Sequence, residues 1–177
     1  MSKVRLYLVR HGKTMFNTIG RAQGWSDTPL TAEGELGIHE LGIGLRESGL
    51  QFDRAYSSDS GRTIQTMGII LEELGLQGKI PYRMDKRIRE WCFGSFDGAY
   101  DGDLFMGLIP RIFNVDHVYQ LSYAELAEGL VEVDTAGWAE GWEKLSGRIK
   151  EGFEAIAKEM EEQGGGNALV VSHGMTI

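Results

Sequence analysis

Two short apolar runs, each passing directly into a His-Gly pair, constrain this chain more than any other feature. Val4-Arg5-Leu6-Tyr7-Leu8-Val9 leads into Arg10-His11-Gly12, and Ala168-Leu169-Val170-Val171-Ser172 leads into His173-Gly174. A nearly continuous apolar run of this length is the pattern of a strand buried on both faces, the condition of parallel strands covered by helices. Further strands are predicted at Phe52 to Ser57 and near Ile80 to Arg83. Helical periodicity fills the gaps between them. Leu36, Ile38, Leu41 and Leu45 mark a helix across 31–47, weakened by Gly37, Gly42 and Gly44 at ~1 kcal/mol each. Ile64, Met67, Leu71 and Leu74 give a second helix, stopped by Gly75. Trp142, Leu145, Ile149, Phe153, Ile156 and Met160 give a third, closed by Gly164-Gly165-Gly166. The expectation is an α/β fold of three layers, α/β/α, around a mostly parallel central sheet.

Only the stretch at about 99–133 breaks this rhythm, with Pro110, scattered aromatics and little clear period. It reads as an insertion packed over the active-site end of a single domain spanning 1–177. A chain of 177 residues has the size of one domain and folds without disulfides or metal. Cys92, the single cysteine, excludes an intrachain disulfide and a Cys-rich zinc site. The formal charge of −8, from 18 Lys and Arg against 26 Asp and Glu, argues against a nucleic-acid partner. Val4 to Val9 is too short for a signal peptide or a membrane span, so no membrane partner is expected and the cytoplasm is the simplest compartment. A homodimer stays open.

In open α/β sheets, ligands bind beyond the carboxyl ends of the strands. His11 and His173 leave two strands at that end, beside Arg10, and the following glycines would let a ligand approach the backbone. Two imidazoles and a guanidinium converging there make an anion trap, and imidazole can attack phosphorus to form a covalent intermediate. Either histidine alone would read as a satisfied strand-end residue; the pairing favours chemistry. Rival phosphate motifs fail. A cysteine phosphatase loop needs Cys-x5-Arg, yet Gly98 stands six residues after Cys92. Asp101-Gly102-Asp103 does not follow an apolar strand, and Gly164-Gly165-Gly166 leads into a strand rather than a phosphate-cradling helix. Chemistry without metal or other cofactor is expected. His39 reads as part of a solvated helix face, and Trp138 and Trp142 as packing on the last helix.

The run Leu8-Val9-Arg10-His11-Gly12-Lys13-Thr14 resembles the start of the histidine phosphatase superfamily, with its phosphoglycerate-mutase-like fold. The likeness continues through Asn17, Gly24-Trp25-Ser26-Asp27, Pro29-Leu30-Thr31 and Gly34, then Tyr56-Ser57-Ser58-Asp59 with Arg62 and Thr66. It resumes at Arg89-Glu90, Phe93-Gly94-Ser95-Phe96 and Gly98, and at Val170-Val171-Ser172-His173-Gly174. The resemblance implies that His11 is the nucleophile, that Arg10, Arg62 and His173 bind phosphoryl oxygens, and that Asn17 adds a neutral donor. It implies that Gln23 and Gly24 contact the substrate and that Glu90 is the proton donor, with a pKa raised by burial or by a neighbouring anion; Asp85 is the reserve candidate. The implied activity is hydrolysis of small phosphorylated metabolites through phosphohistidine. The alternatives are a phosphoglycerate mutase and a non-catalytic phosphate-binding module.

Three departures from the family pattern stand out. Lys13 replaces the more usual Glu or Gln. The sequence stops at Ile177, where family members continue through a helix and a strand, so a fragment or a shortened member lacking a covering helix is expected. The stretch Gly98-Ala99-Tyr100-Asp101-Gly102-Asp103 is acidic where mutases carry a basic clamp for a second phosphate.

Overall fold

The structure, a computed structural model, describes residues 3–177. Its sheet has four strands: β1 (Val4–Arg10), β2 (Arg54–Ser57), β3 (Tyr82–Met84) and β4 (Gly166–Ser172). They lie in the order β1-β4-β2-β3, all parallel. The helices are α1 (Met15–Ile19), α2 (Ala32–Glu47), α3 (Gly61–Glu73), α4 (Ile109–Phe113), α5 (Tyr123–Val133) and α6 (Trp142–Glu162). The three-layer expectation is met through the pleat of β4. Leu169 and Val171 point to one face, joining Ile38 of α2 and Met67, Ile70 and Leu71 of α3. Ala168 and Val170 point to the other, joining Ile156 and Met160 of α6. Truncating one of these buried aliphatic side chains to alanine costs about 2–5 kcal/mol.

The register places the chemistry. Val9 pairs with Val171, and Val171 with Ser57, so Arg10, Ser172 and Ser58 reach the carboxyl end of the sheet together. The His11 amide then donates to the Ser172 carbonyl across 3.0 Å, and the Ser58 amide to the Val171 carbonyl across 3.2 Å. His11, His173 and Ser58 emerge side by side.

Some expectations need correction. β4 is buried on both faces, whereas β1 is not: Leu8 is 45% exposed. β1 lies at the edge of the sheet, and the α6-side core covers its Val4 and Leu6 but not Leu8. In α2 the buried residues are Gly34, Ile38 and Gly42, while Leu36 and Leu41 are exposed. The glycines that weaken this helix on paper include its contact face. A Cβ on Gly42 would come within 2.7 Å of Glu73 Cβ, so the absence of a side chain lets α2 close onto α3. In α3, Ile64 is exposed and Ile70 is buried in its place.

The region 99–133 is more regular than its sequence suggests. It contains a π-helical turn over Gly102–Leu108, then α4, a 3-10 turn at Val118–Gln120, and α5. Ser122 and Glu125 cap the start of α5 reciprocally. A third core joins this region to the main body through Trp91, Phe93, Leu104, Ile109, Leu126, Leu130 and Leu145. Trp138 and Trp142 do not pack as expected: the first is 70% exposed and the second 40%. Cys92 is a buried free thiol. Among the described residues no helix is long and apolar enough to cross a membrane.

Candidate active site

The site is assembled where β1, β4 and β2 end. His11 is buried, and its Nδ1 lies 2.8 Å from the Gly12 carbonyl oxygen. A carbonyl can only accept, so Nδ1 carries the proton and Nε2 keeps its lone pair. Burial lowers the His11 pKa to about 4. The Gly12 carbonyl opposes that fall, and the charges of Arg62 and Arg10 add to it. At neutral pH this imidazole is uncharged, with one nitrogen able to attack.

His173 faces it, with ring centroids 5.3 Å apart and planes at 63°. Its Nδ1 accepts from Arg62 Nη2 at 3.0 Å, which leaves the proton on Nε2 to donate to Ser58 Oγ at 2.7 Å. Burial first, and the Arg62 charge next, hold His173 far below the usual imidazole range. Both ring nitrogens are therefore engaged by the protein. In this arrangement His173 orients Arg62.

Arg62 sits in the first turn of α3 and is fully buried. Nη1 donates to Asp27 Oδ1 at 2.8 Å and to the Ser26 carbonyl at 3.0 Å; Nη2 donates to the Gly24 carbonyl at 2.8 Å and to His173. A guanidinium has five N–H groups. Four are used here, and the fifth, on Nε, has no partner. An orphaned buried N–H costs roughly 1–3 kcal/mol. Asp59, three residues before Arg62, pairs instead with Arg89 at 2.5 and 2.6 Å, and Arg89 stacks 4.7 Å over the Trp25 ring.

Arg10 is exposed and lies along Gly174, where a Cβ would come within 3.3 Å of its Nε. Among the described residues it forms no ion pair. Asn17 closes the capping box of α1 by accepting from the Thr14 amide at 3.1 Å, which leaves its Nδ2 to the solvent side. Arg10, His11, Lys13, Asn17 and Asp101 line an open pocket of about 350 Å³. Lys13 forms an exposed ion pair with Glu33 at 2.7 Å.

Gln23 and Gly24 are not part of this lining. The Gln23 amide binds Thr14 Oγ1 and Thr28 Oγ1, while Gly24 donates its N–H to Asp97 and its carbonyl accepts from Arg62. A Cβ on Gly24 would strike the Trp91 carbonyl. The Gln23 and Gly24 carbonyls also buttress Arg62, at 3.4 and 2.8 Å from its Nη2. Gly12 is likewise a packing requirement, because a Cβ there would come within 2.9 Å of Ile38 Cγ1.

Glu90 is 7% exposed. Its Oε1 accepts from the Trp91 amide at 3.0 Å and its Oε2 from the Met175 amide at 3.2 Å; Thr176 Oγ1 lies 3.2 Å from Oε1. Burial raises its pKa above the ordinary carboxylate value, against the pull of these bonds and of Arg62. Asp85, the reserve donor, behaves oppositely. Burial favours its protonation, yet the Arg87 side chain at 2.7–3.2 Å and the Arg87 amide outweigh it and keep the carboxyl ionised. An ionised carboxylate cannot donate, so Asp85 is set aside.

Sequence reasoning missed the support beneath Glu90. Arg148 of α6 donates to the carbonyls of Arg87, Arg89 and Glu90 at 2.8, 3.0 and 3.1 Å. Its charge is balanced by the fully buried Glu140 at 2.6 Å. The available signal was an arginine three residues after Leu145, on the apolar stripe of α6. Among the described residues, no group of three or more His, Cys, Asp or Glu could hold a metal ion.

The chain belongs to the histidine phosphatase superfamily (branch 1), an enzyme family of phosphoryl transfer, whose family model matches residues 6–177. Among its relatives, Probable phosphoglycerate mutase GpmB of Salmonella choleraesuis is 32% identical over 176 residues, covering 98% of this chain and 71% of that protein. A solved phosphoglycerate mutase from Bacillus anthracis superposes with a TM-score of 0.91 at 37% identity, covering 99% of this chain and 77% of the other. The alpha-ribazole phosphatase from Shigella flexneri superposes with a TM-score of 0.68 at 26% identity, covering 95% and 73%. Matches to 2,3-bisphosphoglycerate-dependent mutases of Bacteroides thetaiotaomicron and Latilactobacillus sakei span 38% and 54% of those proteins.

Proposed function

We propose that this protein hydrolyses phosphomonoesters of small metabolites through a phosphohistidine on His11. The observation that carries the reading is the Nδ1–Gly12 carbonyl bond, which leaves a neutral Nε2 lone pair in a site whose Arg62 keeps one N–H unpartnered. His11 Nε2 attacks phosphorus as the ester P–O bond breaks, and the Glu90 proton passes to the leaving oxygen. Water then attacks the phosphohistidine and yields its proton to Glu90, the P–N bond breaks, and inorganic phosphate departs. Arg10 and Arg62 supply the positive field that phosphoryl transfer requires, so activity in EDTA is expected. Asn17 Nδ2 adds a neutral donor at the rim.

The second reading is a phosphoglycerate mutase, favoured by the names of several relatives. Against it, Asp101 borders the pocket around His11 and would repel the second anion of a phosphoglycerate. The deciding assay is phosphate release from 3-phosphoglycerate with and without its bisphosphate, beside label trapping quenched in alkali. Acid-labile label on His11 with steady phosphate release supports hydrolysis. Label on a carboxylate, or turnover by His11→Ala, would overturn the scheme, and primer-dependent isomerisation would establish the mutase.

A further inference from the structure

A second cavity, of about 660 Å³, opens beside the phosphoryl pocket within the region 99–133. Its walls include Phe105, Met106, Val118, Leu121, Leu126 and Met175. The size suits a small-molecule arm. Two residues join it to the chemistry. Asp101 borders both this cavity and the pocket around His11. Met175 lines the cavity, while its backbone amide holds Glu90 Oε2 at 3.2 Å. The group that receives the Glu90 proton is the leaving oxygen, so the carbon skeleton attached to that oxygen lies on the Met175 side. The charge of the lining is equally telling: Asp101 is its one charged residue, and it is negative.

We infer that the substrate is a monoester whose leaving alcohol carries an apolar, uncharged alkyl or aryl arm, so that the phosphoryl group is its single anion. This rests on the phosphatase reading and names its substrate class. The arm fills the Phe105–Leu126 cavity, and Asp101 excludes arms that bear a carboxylate or a second phosphate. Each buried methylene adds about fourfold in affinity, whereas an arm ending in a carboxylate meets a carboxylate with no cation among the lining residues to offset it.

Direct calorimetric binding of non-hydrolysable phosphonates at pH 8 tests this without relying on turnover. Methylphosphonate, hexylphosphonate and 6-phosphonohexanoate form the series, the last replacing the terminal methyl of the second with a carboxylate. Hexylphosphonate should bind at least 30-fold tighter than methylphosphonate, and 6-phosphonohexanoate at least 10-fold weaker than hexylphosphonate. Asp101→Asn should narrow the second gap, and Met106→Lys, at an exposed rim position, should reverse it. Equal binding of the methyl and hexyl ligands, no binding of either, or a carboxylate ligand as tight as the hexyl one overturns the inference. An intact series with no phosphate released from hexyl phosphate would leave the inference standing as a binding preference and count against the hydrolytic reading alone.

Discussion

Arg62 and His173 lock one another in place: Nη2 of the arginine donates to Nδ1 of the histidine across 3.0 Å, with both residues fully buried. The arginine keeps its proton, so the histidine must accept, and the pair has one stable arrangement. Asp27 and the carbonyls of Ser26 and Gly24 take the remaining Nη protons.

Lysine cannot reproduce this. An ammonium has three N–H groups for four acceptors and none left over. Arg62→Lys is predicted to lower unfolding free energy by about 2–4 kcal/mol and to weaken vanadate inhibition at least tenfold. Urea denaturation and inhibition titrations read the two effects separately. Wild-type vanadate affinity in the variant would remove Arg62 from the anion site.

Acid stability should report on His11. Its folded pKa, about 4, lies below the ordinary 6.5, so its contribution is complete above 6.5 and is lost as pH falls towards 4. His173 shifts in the same direction. His11 alone should account for about 2 kcal/mol lost between pH 7.5 and pH 5. Urea midpoints for wild type and His11→Asn across that window should show a shallower fall in the variant. Parallel curves would mean that His11 is not held neutral by the fold.

Catalysis should show the complementary pH limb. Glu90 donates only while protonated, so kcat/KM for an alkyl phosphate should decline as pH rises through its raised pKa. Glu90→Gln should slow alkyl phosphate hydrolysis by roughly 10²–10⁴-fold and abolish that limb. The burst with p-nitrophenyl phosphate should be far less affected, because nitrophenolate departs almost unaided. Equal slowing of both substrates would dismiss Glu90 as the donor.

Arg148 should act through Glu90 without touching substrate. Arg148→Lys keeps a partner for Glu140 but cannot reach the carbonyls of Arg87, Arg89 and Glu90 together. A larger loss of kcat for alkyl than for nitrophenyl substrates is expected, with the alkaline limb displaced and KM little changed. A uniform loss on both substrates would mark the residue as purely structural.

The strands, the helix order and the positions of His11, His173 and Arg62 were legible because each lies on a regular element with a strong local pattern. The helix faces were less so. Leu36 and Ile64 carry the right period yet point outward, because close packing of α2 on α3 is decided by Gly42 and Ile70. The 99–133 region hid its helices because a π-turn and Pro110 interrupt the 3.6-residue period, although Ser122 and Glu125 did spell out a cap. Arg148 and Glu140 could not be linked to Glu90 from sequence, since their partners lie about fifty to sixty residues away. The hold of Gln23 and Gly24 on Arg62 was not legible either, since it runs through carbonyls about forty residues from the arginine.

The three separate cores have a consequence for redesign. Arg62 and the two histidines stand on the sheet and its flanking helices, whereas the apolar cavity stands on a core of its own around Leu104, Ile109, Leu126 and Leu130. The cavity wall can be resequenced while the proposed phosphoryl site keeps its own support. Trp91 and Phe93 belong to the cavity's core and closely follow Glu90. Glu90 thus sits on the seam between the two, and on the proposed mechanism variants that recut the cavity should show the change there first, as altered tolerance for poor leaving groups.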